Sequence, residues 1–446
     1  MNRNQKGRQI PLMLIAIGDI ILINAALLIA YFLRFSGELP VINVKPFYQL
    51  TPFIVVFTIV IFEIFDLYKR NWKGINKDFR TILSAVFFVF LLTNTATFWM
   101  RGFAFPRSVL FLGLVNQIVL IWLWRSFCWQ FERKIYGLLN VVAIGLTDEK
   151  EVVDKLLLNK GWYFNLTKVI FTEDIYNSPE LEKADGVFIL PSVPEDYKSK
   201  LLRYCLNRGK AFFLVPSTYE IFLSSADVKQ MDDLPVLEVI KLFPSNGVVA
   251  VKRVIDIVLS ALGLIILSPL MIIVALAIKA TSPGPVFYLQ ERVGQGEKPF
   301  MLYKFRTMIN NAEARTGPVL AAENDPRITP IGKFLRATRI DEIPQLWNVL
   351  KGDMSLVGPR PERPFFIEKF KKEIPGYEYR HLVKPGITGL AQISGKYSTT
   401  ADDKLRYDLM YIGNLSLMQD IKILLQTVPV VLNSSAAEGV EKTYHN

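Results

Sequence analysis

Four apolar stretches occupy the first third of the chain: Ile10–Leu33, Phe47–Phe65, Ile82–Met100 and Val109–Trp124. Each has about the length of a helix that crosses a ~30 Å hydrocarbon core, the second and fourth lying near the short end of that range. This feature constrains the fold most, because a chain carrying these segments cannot be wholly soluble. The composition agrees. Of 446 residues 51% are hydrophobic and 21% charged, and the mean hydropathy is +0.28. Such a chain is neither disordered nor fibrous. The first stretch is too long for the apolar region of a cleaved signal peptide and lacks a clear small-residue cleavage site.

Basic residues orient the segments. Arg3, Lys6 and Arg8 precede the first, Lys69, Arg70, Lys73, Lys77 and Arg80 join the second to the third, and Arg125, Arg133 and Lys134 follow the fourth. The other two links carry fewer, so the N-terminus, the second link and everything after the fourth segment are expected in the cytoplasm. Trp72, Trp99, Trp122 and Trp124 read equally well as interfacial anchors or as core packing. The net charge of +11 suits an anionic partner such as phospholipid, nucleotide or nucleic acid.

From Asn140 to about Val239 strands and helices alternate. Val141–Gly145, Lys168–Phe171, Gly186–Leu190 and Ala211–Val215 read as strands, Glu149–Leu158 and Tyr197–Asn207 as helices. That alternation predicts a Rossmann-like parallel sheet. The G-x-G-x-x-G phosphate cradle is missing; Gly145-Leu-Thr-Asp-Glu149 follows the first strand instead, so a structural or regulatory role is favoured over a nucleotide site.

A fifth apolar run, Val254–Ala280, is interrupted at Ser268-Pro269. Neither half is long enough to cross a bilayer at 1.5 Å per residue. A kinked fifth span and a re-entrant hairpin both fit, and the basic residues at both ends (Lys252, Arg253, Lys279) favour the hairpin. Asp256 reads as a structural ion-pair partner of Arg253.

Beyond this run the sequence is polar and dense in motifs. Two histidines, His381 and His445, and two cysteines, Cys128 and Cys205, leave no His-rich metal site, disulfide framework or C-x-x-C. His381 reads as a surface or hydrogen-bonding residue and not as a catalyst. Asp341 and Glu342 form an adjacent carboxylate pair, and Lys304, Arg306, Arg336, Arg360 and Lys396 supply cations. A diphosphate substrate with a divalent ion needs that combination: cations neutralise phosphate charge, while carboxylates hold magnesium or attack phosphorus. Taken singly, each feature has a plain structural reading. Asp341-Glu342 could cap a helix over Ile343–Lys351 that Gly352 closes, and an isolated Lys or Arg is usually solvated.

Taken together, the motifs resemble the bacterial sugar transferase family, the monotopic polyprenyl-phosphate phosphoglycosyl transferases. They are Ser268-Pro269, Gln290-x-Arg292-x-Gly294, Lys304-Phe-Arg306-Thr-Met308, Asp341-Glu-Ile-Pro-Gln345 and Gly352-Asp-Met-Ser-Leu-Val-Gly-Pro-Arg-Pro361. The resemblance concentrates in Lys252 to about Val430, and the overall architecture is similar to the large members. It implies a membrane α/β protein with a four-helix anchor (1–135), a Rossmann-like domain (136–245) and a catalytic α/β domain (246–446) whose re-entrant helix is 254–280. The implied reaction moves a sugar-1-phosphate from a UDP-sugar to undecaprenyl phosphate and releases UMP, as the first membrane step of exopolysaccharide, capsule or O-antigen synthesis. Asp341 would be the nucleophile that carries a phosphosugar intermediate. Glu342 would bind Mg2+ or assist proton transfer, the two carboxylates forming the metal site. Lys304, Arg306, Arg336, Arg360, Lys396 and Gln392 would hold phosphates, and Ser268 and Pro269 would shape the hairpin. The implied location is the bacterial inner membrane with the catalytic domain on the cytoplasmic face. Downstream glycosyltransferases are implied partners, a homodimer is left open and no nucleic-acid partner is implied. Lys396 departs from a common arginine, and Arg339 from a common small hydroxyl residue, two positions before Asp341.

Two rivals differ in kind. A membrane-tethered nucleotide-sugar dehydratase or epimerase needs the glycine loop and a Tyr-x-x-x-Lys pair, and none of the 17 tyrosines has lysine four residues on. A transporter or receptor usually carries polar residues along a pathway, which the sparsely charged spans lack. After the core, Leu415–Leu432 reads as an amphipathic helix that lies on the bilayer or packs on the domain, followed by a flexible tail.

Overall fold

The computed structural model describes residues 10–37, 41–69, 75–100, 106–145, 149–157, 164–171, 178–239, 246–310, 312, 325–395 and 399–431. Trp72, Pro244, Lys396, His445 and the tail from Ser434 lie outside them. The chain forms two compact units, Met1–Pro216 and Ser217–Asn446.

The first unit opens with helices α1 (Leu12–Arg34), α2 (Val41–Ile64), α3 (Ile75–Trp99) and α4 (Arg107–Tyr136). Among the described residues, each contains a segment long and apolar enough to cross a membrane, as does one helix of the second unit. Small residues let α1 and α4 approach closely: a Cβ on Gly18 would lie 2.4 Å from the Trp124 ring. Trp124 also donates its indole N–H to the Ile15 carbonyl at 3.4 Å. Core packing is therefore the reading that fits Trp124, whereas Trp99 is 86% exposed. Asp19 is fully buried between these helices, where Arg125 donates to both carboxylate oxygens, at 3.1 and 2.5 Å. Arg125 also reaches the Leu67 carbonyl at 2.6 Å. A buried charge persists only with such pairing.

The α/β part of this unit runs β1 (Leu139–Ile144), α5 (Lys150–Leu157), β2 (Phe164–Ile170), α6 (Pro179–Lys183), β3 (Gly186–Ile189), α7 (Glu195–Arg208) and β4 (Ala211–Leu214). The four strands pair in parallel in the order β2-β1-β3-β4. Val141, Val142, Ala143 and Ile144 are fully buried, as an apolar strand covered on both faces requires. The carboxylate of Glu149 accepts the Ser192 hydroxyl at 2.7 Å, linking the segments that follow β1 and β3. Residues 146–148 lie outside the described residues.

The second unit begins with α8 (Thr218–Ser224), which starts at a capping box formed by Ser217 and Glu220. Ile221 joins the core of Val293, Val357, Tyr377, Leu405 and Leu409. The β5–β6 hairpin (Asp227–Met231, Leu234–Glu238) follows. Helix α9 then runs unbroken over Asn246–Thr281 with Pro269 inside it. The sequence predicts an interruption there; the helix continues instead. Proline at 269 leaves the Ile265 carbonyl without its helical donor, and the Ser268 hydroxyl donates to that oxygen at 2.8 Å.

The antiparallel pair β7 (Phe287–Val293) and β8 (Pro299–Phe305) comes next, then α10 (Pro330–Ala337), a 3-10 turn at Ile340–Glu342 and α11 (Gln345–Lys351). Strand β9 (Ser355–Val357) precedes α12 (Pro364–Glu373) and a 3-10 segment at Tyr377–Leu382. Strand β10 (Gly386–Thr388) pairs with β9 in parallel. Helices α13 (Leu390–Ser394), α14 (Ala401–Gly413) and α15 (Leu417–Val431) close the unit. In α15 the amphipathic pattern holds with one inversion: Asp420 faces inward onto Lys252 while Met418 and Ile421 are exposed.

Candidate active site

Asp341 and Glu342 stand on the single 3-10 turn between α10 and α11. Arg339, with φ of 59°, opens that turn, and Gly352, with φ of 98°, closes α11. Asn348, fully buried in α11, accepts the Tyr303 N–H at 3.0 Å and donates to the Met301 carbonyl at 2.7 Å. This clamps α11 to β8, the strand that carries Lys304. Two elements remote in sequence are thereby fixed to one another next to the carboxylates.

Glu342 Oε1 accepts from Arg360 at 2.6 Å and from Lys304 at 3.3 Å. Asp341 is 8% exposed, and its Oδ1 has no hydrogen-bond partner among the described residues. The two neighbours therefore titrate apart. Burial and then the Glu342 charge push Asp341 up to about 6, against the pull of Lys304, Arg336 and Arg339. Glu342 is buried too, yet Arg360 and Lys304 outweigh that penalty and hold it well below the usual carboxylate range. Burial pushes Lys304 down; Glu342 draws Arg360 up. One carboxylate is locked as an ion. The other is buried and keeps one oxygen without a hydrogen-bond partner among the described residues.

The Gly358–Glu362 turn that presents Arg360 is fixed through its carbonyls. Gly386 donates its N–H to Pro359 O at 2.9 Å, Arg380 donates to Arg360 O at 2.9 Å and Arg292 to Pro361 O at 3.0 Å. Arg380 is held by the buried carboxylate of Asp408, at 2.8 Å. No local pattern in the sequence reveals this support, because its partners come from separate elements. Arg360 keeps 38% of its side-chain surface, enough to meet a substrate.

The structure thus gathers Lys304, Arg336 and Arg360 around the carboxylates. Arg336 also donates its Nε–H to Thr307 Oγ1 at 2.9 Å. Gln392 lies beside the same turn, since a Cβ on Gly389 would be 2.8 Å from Gln392 Oε1 and 2.1 Å from Gly358 O. The Gln392 carboxamide is buried with neither end partnered among the described residues. Arg306 is a correction. Its guanidinium donates to Pro283 O at 2.9 Å, Ser282 O at 2.7 Å and Ser282 Oγ at 3.1 Å. It is 5% exposed and ties down the exit of α9 instead of meeting a phosphate. Gly284, with φ of 121°, leaves room for it: a Cβ there would lie 2.1 Å from Arg306 Nη1. A second correction concerns Asp256, which accepts the Leu356 N–H at 3.0 Å while Arg253 turns to the Val349 and Leu350 carbonyls. His381 is buried, and burial lowers it to about 4, so it stays neutral.

Among the described residues no group of three or more His, Cys, Asp or Glu could hold a metal ion. The donor set present, the open Asp341 Oδ1 beside Glu342, still fits magnesium, which takes one or two carboxylates and completes its shell with phosphates and water.

Residues 248–434 match the family described as Bacterial sugar transferase. A UDP-N-acetylgalactosamine-undecaprenyl-phosphate N-acetylgalactosaminephosphotransferase of Aeromonas hydrophila is 45% identical over 47% of this chain, and the chain spans about half (50%) of that relative's length. A UDP-glucose:undecaprenyl-phosphate glucose-1-phosphate transferase of Escherichia coli is 40% identical over 61% of this chain and 58% of its own length. A relative of the same name from Xanthomonas campestris is 30% identical over 94% of this chain and 93% of its own. The similarity to the Xanthomonas protein runs through both units, and the motif-bearing residues fall within the family match: the chain is a membrane α/β protein that belongs to the bacterial sugar transferase family.

Proposed function

We propose that the chain transfers a sugar-1-phosphate from a UDP-sugar to undecaprenyl phosphate, as the names of its relatives describe for them. One observation carries the reading: the buried Asp341 Oδ1 has no hydrogen-bond partner among the described residues, and it sits beside Glu342 and the cations Lys304, Arg360 and Arg336. Asp341 attacks the sugar-proximal phosphorus. The bond from that phosphorus to the UMP oxygen breaks and UMP leaves. An oxygen of the lipid phosphate then attacks the same phosphorus and displaces Asp341, which regains its charge. Two displacements at one carboxylate replace a direct encounter of two anions. Lys304, Arg336 and Arg360 offset charge on the phosphates, and the same role is proposed for Gln392 and Lys396. Glu342 keeps Lys304 and Arg360 in place. Magnesium, held by Asp341 and Glu342, would supply further charge neutralisation when bound. We place the reaction at the cytoplasmic face of the inner membrane, as the first membrane step of a surface-polysaccharide pathway whose later glycosyltransferases consume the product.

The test is UMP release by the full chain from UDP-glucose, UDP-galactose and UDP-N-acetylgalactosamine, with turnover dependent on added undecaprenyl phosphate. No release from any of them overturns the reading. Because Asp341 must be ionised to attack and lies near 6, activity falls as pH drops through about 6. Burial, the main cause of that rise, persists in Glu342→Gln, but the variant loses the neighbouring charge that adds to it, so its residual activity extends to lower pH. An acid limb that Glu342→Gln leaves in place counts against Asp341 as the titrating group.

We also propose four spans in the first unit and a re-entrant α9. A helix of 36 residues would be about 54 Å long if straight. Both of its ends rest on one body, however. Arg253 binds α11 at Val349 and Leu350, and Val274 and Ile278 pack on Phe305 of β8 and Leu335 of α10. Asn348 joins α11 to β8. A segment with both ends on one soluble body enters and leaves the bilayer from the same side. Single cysteines at Gly247 and Gly296, in a chain lacking Cys128 and Cys205, should both resist an impermeant thiol reagent in intact cells and react after lysis. Labelling of Gly296→Cys alone from outside would establish a fifth span.

A further inference from the structure

The first turns of α9 carry three charged residues that the proposed reaction leaves unused, and each touches a support of the Asp341–Glu342 pair. Arg253 donates from Nη1 to Val349 O at 2.5 Å and from Nη2 to Leu350 O at 2.7 Å. Those carbonyls belong to the last turn of α11, where Val349 O also accepts the Gly352 N–H at 3.1 Å, and α11 begins three residues after Glu342. Asp256 accepts the Leu356 N–H at 3.0 Å, and Lys252 donates to Val357 O at 3.0 Å. Both are backbone groups of β9. The other edge of this strand pairs with β10, so side chains of α9 take the place of a neighbouring strand.

Val357 runs directly into Gly358, Pro359 and Arg360, and Arg360 grips Glu342 at 2.6 Å. The intervening proline has a fixed φ, and Pro359 O is itself bonded to Gly386. A displacement at Val357 therefore has little slack in which to dissipate before Arg360. The Lys252 ammonium is shared with Asp420 of α15, at 2.5 Å. The Tyr411 hydroxyl donates to Asp420 at 2.8 Å and sits 3.1 Å from the same Val357 oxygen. Lys252, Asp420, Tyr411 and Val357 O thus close a buried polar knot. Lys252 and Asp420 keep only 14% and 11% of their side-chain surface.

We propose that Lys252, with Asp420 and Tyr411, is a positioning residue: it couples the foot of the membrane helix to Arg360 and through it to Glu342. This rests on the transferase reading. It adds a role for the polar foot of α9, which sets the active-site cation from the membrane side without touching substrate.

The experiment is a double-mutant cycle on the full chain in lipid nanodiscs. It uses whichever of UDP-glucose, UDP-galactose and UDP-N-acetylgalactosamine releases UMP fastest. Lys252→Met keeps the stem and removes the donor; Lys252→Arg keeps the charge. Each is combined with wild-type Arg360 and with Arg360→Lys. Lys252→Met should lower kcat about tenfold with KM changed less than about twofold, because a displaced Arg360 fails mainly in the transition state. In the Arg360→Lys background the same change should cost less than about threefold, since the group it acts through is already impaired. Lys252→Arg should restore most of kcat. A purely structural Lys252 would give losses that multiply across the two backgrounds, and that result overturns the proposal, as does an unchanged kcat. If Lys252→Met does not fold, Tyr411→Phe removes one hydroxyl from the same knot and takes its place in the cycle. Losses that shrink in the Arg360→Lys background then support the coupling, and losses that multiply overturn it. Absence of UMP release from the wild-type chain would instead defeat the transferase reading itself.

Discussion

Asp341→Asn should lower UMP release by at least about 10³-fold, because in the proposed reaction the change removes the attacking charge and not one supporting contact. Asparagine keeps the shape of the side chain, and the cations around it stay engaged: Lys304 and Arg360 on Glu342, and Arg336 on Thr307. The loss is therefore chemical. Wild-type protein given UDP-sugar without lipid phosphate should gain the mass of one phosphosugar, mapped to the peptide containing Asp341, and the variant should gain nothing. Glu342→Gln should still form the adduct, more slowly, since Asp341 retains its open oxygen. Undiminished turnover in Asp341→Asn, or an adduct mapped elsewhere, removes Asp341 from the nucleophile role.

The distinction between Asp341 and Glu342 is the part of the site that the sequence could not supply. As neighbours in a motif they look alike. Burial raises Asp341, whereas Arg360 and Lys304, which arrive from the turn after β9 and from β8, hold Glu342 down. What the sequence does carry is periodic or local. Continuous apolar runs mark the long helices, and apolar strands between helical stretches mark the parallel sheet, whose four strands lie within a few residues of the expected positions. Gly352 ends α11 because only a residue tolerant of a φ of 98° fits there. Arg306 shows the limit. Two residues from Lys304 on an extended segment, it belongs to the same motif, yet it meets the exit of α9 and bonds Ser282 and Pro283. Motif membership reports that a residue matters, not which neighbour it meets. Asp256 fails likewise: three residues from Arg253 on one helix it looks like an ion-pair partner, but tertiary backbone groups outcompete that local contact.

Arg360→Leu should separate the electrostatics of folding from those of catalysis. The substitution leaves Glu342 buried with Lys304 alone, at 3.3 Å. Removing one partner of a buried ion pair leaves an uncompensated charge, a loss of several kcal/mol in a dry interior. Arg360 keeps 38% of its side-chain surface, so water reaches the pair and the loss shrinks to about 1–2 kcal/mol. Adding Glu342→Gln to Arg360→Leu removes both charges, so the double variant should regain most of the lost melting temperature. Activity should not follow. Arg360 is also a half-buried cation bonded to Glu342 at 2.6 Å, and its loss should cost UMP release about 10²–10³-fold, the usual penalty for deleting a preorganised charge-stabilising donor. The double variant should stay as slow or slower, since no group has returned to face the phosphates. Arg360→Lys, which keeps a charge but loses the guanidinium fork, should fall between the single variant and wild type. Recovery of activity together with stability in the double variant would mean that Arg360 serves only to neutralise Glu342, and would take it out of the substrate-binding set.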